Sequence, residues 1–156
     1  MQPRFDLMKY TGSGAYKAML GLEAYLAQST LPVALKHMLK LRASQINGCA
    51  YCIDMHWKDA RAAGESEQRL YGLDAWEESP YYTDRERAAL AYIESVTRIA
   101  ETHVPDDVFD RVRSQFSDQE VIDLTWLAAT INSWNRLAIS LRSEPGKYQP
   151  PAHAKH

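Results

Sequence analysis

The sequence holds only two cysteines, Cys49 and Cys52, and they lie three residues apart. A pair so close cannot staple distant parts of a chain, which excludes a secreted disulfide framework. Long apolar runs are missing too. No stretch approaches the roughly 18 apolar residues that a membrane-spanning helix needs, and the opening Met1-Gln2-Pro3-Arg4-Phe5-Asp6 lacks the apolar run of a signal peptide. The expected location is cytoplasmic, with no membrane partner. Excess positive charge is absent as well: 18 Lys and Arg against 20 Asp and Glu leave a formal charge of -2. Such a balance supplies no general attraction for a polyanion, so nucleic acid is not an expected partner. Strict apolar–polar alternation, hairpin dipeptides, fixed-period repeats and low-complexity runs do not occur, which argues against sheet and against array or linker architectures.

The 46% hydrophobic and 24% charged composition is that of a globular chain, and 156 residues suffice for one substantial core but not for two. The expected fold is all-α and single-domain, a helical bundle over residues 1–143 followed by an irregular tail, 144–156. After Gly12-Ser13-Gly14, an apolar stripe (Ala15, Ala18, Met19, Leu22, Tyr25, Leu26) predicts a helix over 15–28. Pro32 suits a first helical turn because its missing N–H would lack a partner there, so a second helix runs from it toward Ile46. Asn47-Gly48 stops that helix, and a third begins near Cys49 and ends before Gly64. A short helix over 66–75 and a turn at Ser79-Pro80 follow. Thr83-Asp84-Arg85-Glu86 and Ser117-Asp118-Gln119-Glu120 are capping boxes, the first opening a helix to about Thr102 and the second a long helix ending near Arg142. Between them Val104-Pro105-Asp106 opens another short helix. Pro145, Gly146, Pro150 and Pro151 exclude regular helix in the tail, whose ordering would point to a hold on the domain or on a neighbouring subunit.

Chemistry concentrates in Cys49-Ala50-Tyr51-Cys52-Ile53-Asp54-Met55-His56. At about 100° per residue, positions 49, 52 and 56 share one helix edge. A disulfide between Cys49 and Cys52 can therefore open and close in place. Thiolate is the reactive form, and two features favour it: the partial positive charge of a helix N-terminus beside Cys49, and His56, placed to take a thiol proton. Two other readings stay open. The trio supplies three zinc ligands, with His37 or His103 needed for a fourth, and free cysteines also serve as small core residues.

The stretch Ser44-Gln45-Ile46-Asn47-Gly48-Cys49-Ala50-Tyr51-Cys52-Ile53-Asp54-Met55-His56 resembles the signature of the alkylhydroperoxidase D-like (AhpD-like) proteins of the carboxymuconolactone decarboxylase superfamily. A wider likeness runs from about Tyr16 to Arg142 and includes Asn132-Ser133-Trp134-Asn135-Arg136. The resemblance implies an all-helical homo-oligomer, commonly a trimer or hexamer, that reduces hydroperoxides and is itself reduced by a dithiol donor of lipoyl or thioredoxin-like type. It implies no metal and no organic cofactor. Carried onto matching positions, Cys52 attacks the peroxide, Cys49 resolves and lies at the more solvent-facing end, and His56 belongs to the proton relay. Two positions depart from that pattern: His37 stands where the relay has a glutamate, and Tyr51 where it has a second histidine. His37 is either a replacement base or a hydrogen-bonded histidine on a helix face, and Tyr51, a poor base at neutral pH, packs. The superfamily also contains lactone decarboxylases, which do not generally depend on Cys-x-x-Cys, and a redox-sensing protein without turnover is a further alternative.

Other features read more simply. Trp57, Trp76, Trp126 and Trp134 are expected in the core or a subunit interface. Arg85, Glu86 and Arg87, with Asp106 and Asp107, read as solvated helix starts. Asp54 and Asp59 are turned about 140° apart and so do not form an acid–base pair. His153 and His156 are too sparse for a metal site.

Overall fold

The computed structural model describes residues 2–151. Among these there are eight α-helices and no strand: α1 (Gly14–Gln28), α2 (Val33–Asn47), α3 (Ala50–Ala62), α4 (Glu67–Tyr71), α5 (Asp84–Thr97), α6 (Ile99–Thr102), α7 (Asp106–Arg113) and α8 (Asp118–Leu141). The all-α expectation holds, and both capping boxes form with their reciprocal bonds at Thr83–Glu86 and Ser117–Glu120. No helix among the described residues is long and apolar enough to cross a membrane.

Helix α2 lies at the centre, packed against α3, α5 and α8. It is buried over most of its circumference, so its polar side chains need partners inside the protein. They have them. Lys36 donates to the Leu26 carbonyl at 2.8 Å, Lys40 to Glu23 at 2.5 Å, and Arg42 to Glu94 at 2.5 Å and to Asp74. These bonds fix the rotation of α2, while Leu35, Met38, Leu39 and Leu41 join Leu90, Ile93, Leu124, Leu127 and Ile131 in the main core.

The fold departs from the sequence reading in four places. A 3-10 turn at Leu7–Tyr10, capped by Asp6, precedes α1. The helix expected to reach Thr102 breaks at Arg98 (φ -98°, ψ 37°), dividing α5 from α6. Thr102 folds the short helix back by donating its hydroxyl to the Ser95 carbonyl at 2.7 Å. Of the α1 stripe only Leu26 is fully buried, because α1 covers the outside of α8. The charges at the start of α5 are not merely solvated: Arg85 pairs with Glu120 at 2.6 Å over the Phe116 ring, Glu86 pairs with Arg69 at 2.5 Å, and Arg87 ties down loop carbonyls of Glu77 and Tyr82. The tryptophans divide. Trp76 is buried, Trp57 borders the core, Trp134 bonds Glu23 at 3.0 Å and Trp126 is exposed.

The described part of the tail is irregular, as expected, and it is held on α3. Lys58 donates to the carbonyls of Gly146 and Tyr148 at 3.3 and 3.0 Å, the Gly146 N–H to Asp54 at 3.1 Å, and the Tyr148 hydroxyl to Asp59 at 2.7 Å. His153 and His156 lie outside the described residues.

Candidate active site

The site begins at the stop signal of α2. Gly48 takes the left-handed conformation (φ 69°), and its N–H and that of Cys49 return to the last carbonyls of α2. That turn delivers Cys49 to the N-cap of α3, where an Asp or Ser would commonly stand. Its sulfur accepts the Cys52 N–H at 3.4 Å. Cys52 sits in the first turn, and the two sulfurs pack against Ala138 of α8, with Tyr51 at their border.

Both cysteines are free, and each is 1% exposed. The expectation that Cys49 lies at a solvent-facing end is corrected in this single chain. Gly48 and Ala50 on either side are exposed, but capping turns the Cys49 side chain inward.

The thiol pocket is not wholly apolar. Asn135 donates to Ser44 Oγ at 3.1 Å and accepts from Asn47 at 2.8 Å. Asn47 also reaches Asn132 at 2.8 Å, so the amides of α2 and α8 hold one another in a fixed orientation. With its oxygen engaged, Asn135 presents N–H to the sulfurs. The hydrogen bond from Cys52 pulls the Cys49 thiol below its usual pKa, against a desolvation cost, aided by the backbone N–H groups of Cys52 and Tyr51 and by Asn135. Cys52 shifts the other way, raised by its bond to Cys49, by burial and by the neighbouring negative charge. The two shifts are opposed, so the helix amides favour the anion on Cys49 over one on Cys52. Replacing Asn135 by alanine removes a donor to that anion. A hydrogen bond to a charged group favours the charged form, so the thiol pKa is expected to rise. The pH dependence of alkylation by iodoacetamide reads this directly, and an unchanged profile would show that Asn135 does not support the anion.

One turn beyond Cys52, His56 is buried. Burial holds its imidazole well below the ordinary histidine pKa, with further depression from the charges of Lys40 and His37. It is a neutral ring. His37 approaches from α2, ring centroids 5.9 Å apart, and its pKa is likewise lowered, chiefly by burial. Asp59 completes the group: its Oδ2 lies 3.8 Å from His56 Nδ1 and 3.9 Å from His37 Nδ1. The structure therefore brings Cys49 and Cys52 together at the start of α3, and His37 of α2 beside His56 of α3.

The sequence reading missed three participants. Asp59 does not pair with Asp54, which turns to the tail, but its place three residues after His56 was a usable signal. Asn135 lay within the stretch singled out near the end of α8, with nothing to mark its role. Tyr148, from a proline-rich segment, carried no signal. Tyr51 is half-buried and its phenol is pushed above its usual pKa, first by burial, so it packs rather than acting as a base.

An all-helical bundle with a thiol pair capping an internal helix matches known proteins. The model of the carboxymuconolactone decarboxylase family matches residues 14–95. The uncharacterised protein YdfG of Bacillus subtilis (strain 168) is 44% identical over 125 residues, spanning 80% of this chain and 85% of its own length. The crystal structure of ATU0492, a protein of unknown function from Agrobacterium tumefaciens, has a TM-score of 0.89 at 44% identity, covering 94% of this chain and 100% of that one. An uncharacterised peroxidase-related protein from Ralstonia eutropha JMP134, with an alkylhydroperoxidase AhpD core, shares the fold at a TM-score of 0.76 and 20% identity over 85% of this chain and 71% of its own. The chain belongs to the carboxymuconolactone decarboxylase family, as an AhpD-like member.

Proposed function

We propose that the chain is a thiol-dependent peroxidase or disulfide oxidoreductase that reduces hydroperoxides through Cys49 and Cys52. The observation that carries this reading is the hydrogen-bonded thiol pair at the start of α3, with a neutral histidine one turn away. The provisional name of ATU0492, an antioxidant defence protein AhpD, agrees with it.

The chemistry balances as follows. His56 takes the Cys52 proton, and the Cys52 thiolate attacks one peroxide oxygen; an S–O bond forms, the O–O bond breaks, and the alkoxide leaves as alcohol with that proton. Cys49, the more readily ionised thiol, then gives up its proton and attacks the Cys52 sulfenic acid; an S–S bond forms, and hydroxide leaves as water with that proton. The disulfide is returned to two thiols by an external dithiol of lipoyl or thioredoxin-like type, which is oxidised in turn. In this scheme the lowered pKa of Cys49 suits the resolving role and, because a stable thiolate leaves readily, the reductive step as well. His37 supports His56 as a second ring of the relay.

A reducing, cytoplasmic setting suits two free thiols, and exposed apolar side chains of α1 and α8, including Leu20, Ile122, Trp126 and Leu137, suit assembly into a trimer or hexamer. The test is mass spectrometry of the protein after cumene hydroperoxide and then after dihydrolipoamide, with peroxide consumption followed in parallel. A loss of 2 hydrogens per chain (~2 Da) that reverses with the dithiol during multiple turnovers is expected. Reversible oxidation without turnover would favour a redox sensor instead.

A further inference from the structure

We propose that His37, His56 and Asp59 form a binding site for a divalent transition-metal ion that takes no ligand from the two thiols and engages the same imidazoles as the proposed relay. The three residues offer one ligand atom each within 4.8 Å of one another, and no cysteine belongs to the set. Two imidazoles and a carboxylate are a donor set suited to zinc or to a first-row metal such as iron or cobalt.

The state of the nitrogens is the independent observation. Nδ1 of His56 is buried without any hydrogen-bond partner, on a side chain only 6% exposed, and Nδ1 of His37 is unpartnered in the same way. Buried polar atoms are rarely left so, and here two of them point at one carboxylate oxygen from 3.8 and 3.9 Å. Neither distance is a hydrogen bond. Around a tetrahedral ion with bonds of about 2.0–2.2 Å, ligand atoms lie about 3.3–3.5 Å apart. The two nitrogens need to approach the carboxylate oxygen by roughly half an ångström, and each other from a separation within 4.8 Å, which side-chain torsions can supply.

The surroundings are those of a supported carboxylate. Asp59 Oδ1 already accepts the Tyr148 hydroxyl at 2.7 Å, so Oδ2 is the oxygen turned toward the histidines. Residues that orient a metal ligand in this way commonly tune affinity tenfold to hundredfold. Lys36 and Lys40, both on α2, are the cations nearest the rings. Each is engaged elsewhere, Lys40 neutralised by Glu23 and Lys36 held by the Leu26 carbonyl.

The experiment removes the thiols as competing ligands in two ways: the C49S/C52S chain, and the wild-type chain oxidised to its disulfide. Each is titrated calorimetrically with Zn²⁺, and with Co²⁺ to read ligand type from its visible bands. One ion per chain is expected in both, with a cobalt spectrum free of thiolate charge transfer. In the C49S/C52S background, His37→Gln and Asp59→Asn are expected to weaken Zn²⁺ binding by more than a hundredfold and Tyr148→Phe by about tenfold, the range for loss of a supporting residue. Circular dichroism checks that each variant keeps its helices. Absence of uptake by both thiol-free forms, or uptake unaffected by His37→Gln and Asp59→Asn in folded chains, would overturn the proposal.

Discussion

Cys52→Ser is expected to reduce peroxide consumption to the uncatalysed level, whereas Cys49→Ser is expected to permit one oxidation and then stop. The asymmetry follows from the two roles proposed for the sulfurs. The helix amides favour ionisation of Cys49, the resolving thiol, and Cys52 must lose its own proton to attack. Without Cys52 there is no sulfur beside His56 on the helix edge. Without Cys49 nothing condenses with the oxidised Cys52, so a sulfenic acid accumulates and is trapped by dimedone. In that variant the negative neighbour that raised the Cys52 pKa is also gone, so its first oxidation is not slowed by that charge. Multiple turnovers by Cys52→Ser, or dimedone labelling of Cys49 in place of Cys52, would reverse the assignment of roles.

The second large effect is expected at His56. Removing a positioned base commonly costs about 10²–10⁴-fold, and His56→Gln should fall in that range for peroxide consumption at pH 7. A rate within threefold of the parent chain at pH 7 would remove His56 from the mechanism. The same burial makes the fold acid-sensitive. Because the folded-state pKa of His56 lies well below 6.5, the unfolded chain binds more protons just below that pH, and stability declines as the pH falls from about 6.5 toward the folded value. The urea midpoint of the parent chain should therefore drop between pH 7.5 and 5, and less so in His56→Gln.

Much of this architecture was readable in the sequence because its signals are local. Thr83 with Glu86, Ser117 with Glu120, and Asn47-Gly48 specify helix ends through bonds spanning three or four residues, and all of them form. The break at Arg98 was not readable: no glycine or proline marks it, and it depends on Thr102 returning to Ser95. The burial of α1 was overstated for a related reason. An apolar stripe shows which face a helix can bury, while the extent depends on what lies opposite, and α1 only flanks α8. At the site, helical spacing joined Cys49 to Cys52, as their hydrogen bond shows. It could not show that His37 of α2 and Tyr148 of the tail reach Asp59, since those meetings span 22 and 89 positions and no pattern within one helix encodes them.

The placement of both sulfurs within a single turn at the head of α3 has a further consequence. Joining them displaces one N-cap side chain and leaves the body of the bundle where it was, so hydrodynamic radius and far-ultraviolet dichroism should scarcely register the change. Under the proposed function the pair would open and close with no domain to swing between rounds, and Gly48 and Ala50, the exposed residues flanking the sulfur, would be where a partner meets the change.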